Sequence, residues 1–293
     1  MVSLNIEVVE LAKKLEVLIK ILINTQVASK YRSVFKGQGL EFEDYRKYLD
    51  TDDAKMIDWK ASVRANELMV KEFKEERNLN TYILLDTSYS MIFGSTNKLK
   101  AQYAAEVAAS LSYFVLKSGD NVSMTMFNDK IAHFIPPDSG DRQFYLILNF
   151  LANADVYEVG YDLENAIDFL MKTMPRRGLL IIISDFIGLE GGWDKSLRVA
   201  GKKFDVLGIM VRDPRDNELI ETGNIVLQDP MSDEVTIVNT GKIKEKYREY
   251  TINEKKYIKE TFSRSNADLL DLNTNEDFIK PVIQFLLRRG GRI

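Results

Sequence analysis

An aspartate and two serines at alternate positions, Asp86, Ser88 and Ser90, stand directly after the apolar run Tyr82-Ile83-Leu84-Leu85. A second apolar run, Leu179 to Ile183, ends in Ser184-Asp185. Carboxylate and hydroxyl oxygens are the ligands that hard cations such as magnesium take. In an open α/β sheet, residues at the carboxyl ends of the strands face the crevice where ligands bind. The two turns therefore predict one site, with Asp86, Ser88, Ser90 and Asp185 around a small cation.

The elements that must position them follow from periodicity. From about Leu79, strand-like runs alternate with helical patterns, which argues for a mostly parallel, Rossmann-like α/β sheet flanked by helices. Strands are predicted at 81–86, 122–127, 131–135, 179–184, 205–211 and 267–272. Between the first two, Leu99, Tyr103, Val107, Ala108, Leu111, Phe114 and Val115 share one helical face. Further helices are predicted over Asp141 to Leu151, Asp162 to Met174 and 194–202. Ile225 to Val238 reads as a hairpin turning near Asp229 to Asp233. Lys242 to Glu260 reads as a helix with a solvated Lys/Glu face. A last helix runs from Glu276 to Arg289, with Pro281 in the first turn, where proline is tolerated.

Upstream the pattern changes, which divides the chain into 1–78 and 79–293. Leu4, Val8, Leu11, Leu15, Leu18 and Leu22 make one stripe of an amphipathic N-terminal helix, suited to docking on the chain's own body or on a partner helix. Lys13, Lys14 and Lys20 interrupt it, so it reads neither as a signal peptide nor as a span. Gly37-Gln38-Gly39 reads as a turn, and Leu68 to Phe73 as extended structure in a small β-containing region. Trp59, Tyr45 and Tyr48 are expected to pack this region onto the sheet. Asp52, Asp53 and Asp58 are expected to be turn and capping carboxylates.

Composition removes several classes of function. Forty basic against 44 acidic residues leave a formal net charge of −4, without the basic footprint of a nucleic-acid binder. The absence of cysteine excludes disulfides, thiolate metal sites and cysteine nucleophiles, and fits a reducing, cytoplasmic setting. The single histidine, His133, lies on a predicted strand and is expected to be structural or at the surface, so zinc clusters and Cys-His pairs lack residues and a Ser-His-Asp triad would rest on it alone. No Gly-x-x-x-x-Gly-Lys-Ser/Thr occurs, so no P-loop is present. Asp86 as an aspartyl-phosphate nucleophile would call for a second carboxylate where Ser88 stands. Asp213 falls at the carboxyl edge, with a turn role beside Pro214. Arg288, Arg289 and Arg292 are expected to complement the dipole of the last helix.

The run Ile83 to Met91 resembles the metal-ion-dependent adhesion site of von Willebrand factor type A domains, whose motif is Asp-x-Ser-x-Ser. Ile183-Ser184-Asp185 is similar to the later aspartate of that site. The block Glu41-Phe42 through Tyr48, Asp52-Asp53 to Trp59, then Ser62, Arg64, Leu68, Val70 and Phe73, resembles family 58 of the domains of unknown function (DUF58). Members of that family carry this block directly before a type A-like domain.

The resemblance implies magnesium held by Asp86, Ser88, Ser90 and Asp185, with a threonine from a middle loop. Here the matching loop is Val159-Gly160-Tyr161-Asp162, so Tyr161 replaces the threonine, and Asp162 or a water is expected to fill its position. Thr51 likewise stands where the upstream block usually has glycine. A site of neutral serines and few aspartates leaves the ion open to an acidic side chain from a partner protein. The resemblance further implies an adaptor or co-chaperone-like scaffold rather than an enzyme, acting with a MoxR-type AAA+ ATPase. A divalent-metal-dependent hydrolase or phosphatase, and a structural A-like domain with a degenerate metal site, are the alternatives.

Overall fold

The structure, a computed structural model, describes residues 40–49, 52–75, 79–158, 160–174, 176–228 and 235–289. The predicted N-terminal helix, the Gly37-Gln38-Gly39 turn, the hairpin turn near 229–233 and Arg292 lie outside the described residues.

The upstream region is an antiparallel ribbon of β1 (Leu40–Lys47) and β2 (Met69–Glu75), joined through the short helix α1 (Trp59–Ala65). Its aspartates hold the turns. Asp58 accepts the Lys60 and Ala61 amides at 3.0 and 3.1 Å, which starts α1. Asp53 accepts the Lys55 amide at 3.0 Å, and Asp52 takes both arms of the Arg46 guanidinium at 2.6 and 2.7 Å. Trp59 departs from expectation. It opens a helix whose buried residue is Ser62, and it stands 66% exposed instead of packed on the sheet.

The central sheet contains β3 (Asn80–Asp86), β4 (Asn121–Phe127), β5 (Ile131–Asp138), β6 (Leu179–Ser184), β7 (Asp205–Arg212) and β10 (Ala267–Asn273). Their order is β10-β7-β6-β3-β4-β5, parallel throughout except for β5. Only Asn128, Asp129 and Lys130 connect β4 to β5, too few for the crossover that a parallel pair requires. As an edge strand, β5 continues through Pro136 and Pro137, beyond its predicted end.

The continuous apolar runs are explained by burial on both faces. All of β3 is buried, and its side chains alternate between two cores. Ile83 and Leu85 pack with α2 (Lys100–Lys117), α3 (Gly140–Leu151) and α8 (Ile279–Arg289), through residues such as Val107, Ile147 and Val282. Tyr82 and Leu84 pack with α4 (Leu163–Thr173), α5 (Trp193–Lys203) and α7 (Thr240–Arg264), through Ile167, Leu197 and Phe262. Phe262 fixes Gly208 in β7, where a Cβ would come within 2.4 Å of its ring. The short helix α6 (Pro214–Asn217) follows β7, and the hairpin of β8 (Asn224–Gln228) and β9 (Val235–Asn239) leads into α7.

From β3 the sheet grows through α2 to β4 on one side, and through β6, β7 and β10 on the other. The order reverses between β3 and β6, so their carboxyl ends open a crevice there. Asp86 and Asp185 stand at those two ends.

Candidate functional site at the carboxyl edge of the sheet

The turn after β3 is built around Asp86, which is 0% exposed. Its Oδ1 accepts the Ser88 amide at 2.7 Å and its Oδ2 accepts the Ser184 hydroxyl at 2.6 Å. Thr87 ties the turn to β4 through its amide and hydroxyl, both donated to the Phe127 carbonyl at 2.7 and 3.0 Å. Burial, then the neighbouring Asp185 carboxylate, push Asp86 up to about 7, against the pull of its bonds to Ser184 and Ser88. Ser88 and Ser90 bring their hydroxyls to 3.0 Å from each other.

Tyr161 reaches the same cluster from the loop before α4. A serine hydroxyl has one proton, and Ser184 gives its own to Asp86. With Asp86 ionised, Tyr161 therefore donates to Ser184, at 3.1 Å, and the three groups form a directed chain from phenol to hydroxyl to carboxylate. Burial foremost, and then the charge of Asp86, hold the phenol well above its ordinary value, so it keeps its proton. Its ring lies 5.8 Å from that of Phe127.

Asp185 is also fully buried, and both of its oxygens are taken. Oδ1 accepts the Ile187 amide at 2.9 Å, and Oδ2 meets the Lys100 ammonium at 2.7 Å. Lys100, the first residue of α2, is 1% exposed and also pairs with Asp216 of α6 at 2.9 Å. Burial pulls its pKa down, but the two carboxylates outweigh that, and the ammonium is held above its usual value. Neither Lys100 nor Asp216 was singled out from the sequence. They lie on separate elements, and Lys100 is 85 residues from Asp185.

Asp213 sits beside this pair. It accepts the Ser95 amide and hydroxyl at 2.7 and 2.6 Å, and the Arg215 amide at 2.8 Å. Asp213 thus caps α6 and clasps the loop after β3, an extension of the turn role expected of it. Asp162 is drawn into local structure as well. Its carboxylate accepts the Asn165 amide at 2.8 Å and forms the N-cap of α4. Asp162→Ala is expected to cost about 1 kcal/mol in chemical denaturation, the usual worth of such a cap.

Between these turns opens a cleft of about 630 Å³. Ser88, Ser90 and Tyr161 line it, with Asp129, Asp162, Glu164 and Glu190 around them and no Lys, Arg or His among its described lining residues. Gly160 shapes one wall: it has φ +106°, and a Cβ there would come within 2.7 Å of Asp129. His133 stands apart, its ring 4.6 Å from that of Phe150, in keeping with a structural role. Arg289 lies in the last turn of α8, as expected, and there also pairs with Asp205 and with Asp268, the latter at 2.7 Å.

The donor set does not fit the magnesium-type ion that the resemblance implies. Of the five residues expected to serve it, Asp86 is enclosed by Ser88 and Ser184 and Asp185 by Lys100 and Ile187, while Asp162 is an exposed rim residue with one oxygen committed to the cap of α4. Between the two buried carboxylates only the neutral hydroxyls of Ser88 and Ser90 remain, and they bond to each other. Among the described residues no group of three or more His, Asp or Glu side chains is arranged to hold a metal ion.

The sheet order, the helices on both faces and the paired turns at the switch point define a von Willebrand factor A-like α/β fold. The sequence model described as "Protein of unknown function DUF58" matches residues 44–257, and the chain belongs to that family. An uncharacterized Mycobacterium tuberculosis protein, Rv1480, is 28% identical over 284 residues, 95% of this chain and 89% of the relative. Among solved structures, an aerotolerance-related membrane protein from Bacteroides fragilis aligns with a TM-score of 0.51 at 16% identity, over 74% of this chain and 100% of that one. The VWA domain of SpRpn10 aligns over 71% and 96%, with a TM-score of 0.40 and 12% identity. At 16% identity the likeness to the Bacteroides fragilis protein concerns the fold alone. Among the described residues no helix is long and apolar enough to cross a membrane.

Proposed function

We propose that this chain is a non-enzymatic docking module whose carboxyl-edge cleft receives a basic segment of a partner protein. The observation that carries the reading is the cleft itself. It opens at the sheet's switch point, presents two serine hydroxyls, and carries four carboxylates with no cationic side chain in its described lining. Such a rim attracts lysine or arginine and repels acidic groups, and it accelerates encounter with a partner of opposite charge. The acidic partner side chain implied by the resemblance needs an ion to receive it, and the two strand-end carboxylates that would hold one, Asp86 and Asp185, are otherwise engaged. A MoxR-type AAA+ ATPase is the partner that family likeness supplies. The non-enzymatic assignment is supported by the lone histidine, packed against Phe150 outside the cleft lining, and by a chain without cysteine.

Binding of the cognate ATPase, followed by calorimetry, tests the reading. Reversing two exposed rim charges, Asp129→Lys with Glu190→Lys, is expected to weaken binding at least about tenfold, or ~1.4 kcal/mol, most strongly at low salt. Equal affinity for both proteins sinks the cleft as the docking site. Phosphoester and peptide substrates are expected to be left intact; turnover lost in Ser88→Ala would overturn the non-enzymatic part.

A further inference from the structure

We propose that the Lys100 ammonium is the resident cation of this edge, supplying to Asp185 the positive charge that a divalent ion would supply, so that the cleft takes its partner without a metal. The inference deepens the docking reading by removing the ion from it. It rests on the donor geometry alone, so either can fail without the other.

Lys100 is placed by more than its charge. Its backbone amide donates to the Phe93 carbonyl at 2.9 Å, and its ammonium lies 5.7 Å from the centre of the Phe93 ring. The ammonium is thereby closed off from solvent between Phe93, Asp185 and Asp216. A divalent ion that recruited Asp185 would have to part it from Lys100, leaving an ammonium in a dry site with one carboxylate fewer. Breaking a buried pair in this way is strongly unfavourable. Magnesium adds its own reluctance to shed water. The hydroxyls of Ser88 and Ser90 offer it no charge in return.

The same ammonium links two parts of the edge. Through Asp185 it holds the turn after β6, whose Ile187 lines the cleft. Through Asp216 it holds α6, because Asp216 also accepts the Asp213 amide at 2.9 Å, and Asp213 in turn clasps Ser95. Lys100 is thus a positioning residue. It fixes one wall of the cleft to the loop after β3 and to α6, with no contact to the occupant required.

The test uses metal ions alone as the probe. In ¹⁵N-labelled wild-type protein, Mn²⁺ up to about 1 mM, the weak end of protein divalent sites, is expected to leave the amide signals of Ser88, Ser90, Asp185 and Ile187 as sharp as those of distant buried residues. Saturable broadening confined to those four signals overturns the proposal. The double variant Lys100→Met/Asp216→Asn, which removes the cation together with one of its carboxylates, is expected to gain Mn²⁺ affinity at least tenfold. A folded double variant with no gain also overturns it, because Lys100 would then not be what stands in for the ion. The wild-type Lys100 ¹⁵Nζ resonance gives a readout that needs no variant. It is expected to remain in place under excess Mg²⁺, and its displacement would count against a resident cation.

Discussion

Replacing Asp86 with asparagine is expected to make the protein more stable at pH 8 than the wild type, and to flatten its loss of stability with rising pH. The reason is a buried carboxyl with no cation against it. Asp86 is pushed up to about 7 by burial and by Asp185, whereas in the unfolded chain it titrates as an ordinary carboxyl. Between those two values the folded state holds a proton that the unfolded state has released. Its contribution is therefore complete below the unfolded value, near pH 4, and is lost as pH rises through the folded value. The span corresponds to on the order of 4 kcal/mol at most. Asparagine keeps the shape and the acceptor for the Ser88 amide. Its amide nitrogen donates where the carboxylate accepted, so Ser184 turns to donate to Tyr161 and the chain of hydrogen bonds runs in reverse. Urea denaturation of both proteins at pH 5 and pH 8 measures the difference. The account fails if the gap between variant and wild type does not widen in favour of asparagine at the higher pH.

That buried carboxyl was legible in the sequence as a position, but not as an environment. Apolar runs before Asp86 and Asp185 announce strands that end at one edge, because a strand buried on both faces has no room for polar residues until it leaves the core. The runs 179–184 and 205–211 are recovered almost to the residue for the same reason. The partners of the carboxylates are a different matter. Lys100 sits at the start of a helix whose other residues explain themselves by packing, and a lysine there reads as a solvated first turn. Only the fold brings it to Asp185 and Asp216. Asp162 shows the reverse case. An aspartate just before an apolar helical pattern is a capping signature on its own terms, and the structure gives Asp162 that role. Trp59 misled through residue type alone, since a large aromatic side chain need not be buried when it opens a short helix at the surface.

Removing the ammonium tests how far this edge depends on its internal cation. Lys100→Met is expected to cost about 3–5 kcal/mol at pH 7, the usual penalty for leaving a buried charge without its partner. Here two carboxylates are left, Asp185 fully buried and Asp216 nearly so. The ordinary cost of truncating a lysine stem is absent, because methionine fills nearly the same apolar volume. The pH dependence identifies the cause. In the wild type the lysine's value is raised, so its contribution is fully present below about 10.5 and is lost only as pH rises beyond that. In the variant the stranded carboxylates are relieved by protonation, so its deficit should shrink as pH falls toward 4. Asp216→Asn in the Lys100→Met background should recover part of the loss, while in the wild-type background it should destabilise. That change of sign in a double-mutant cycle separates a charge clasp from simple packing. A deficit below about 1 kcal/mol at pH 7, or one that is independent of pH, would show that Lys100 lies beside Asp185 without holding it. The expected pattern would instead identify the edge as one framed by its own cation, with the rim carboxylates of the cleft left to set the charge of whatever docks there.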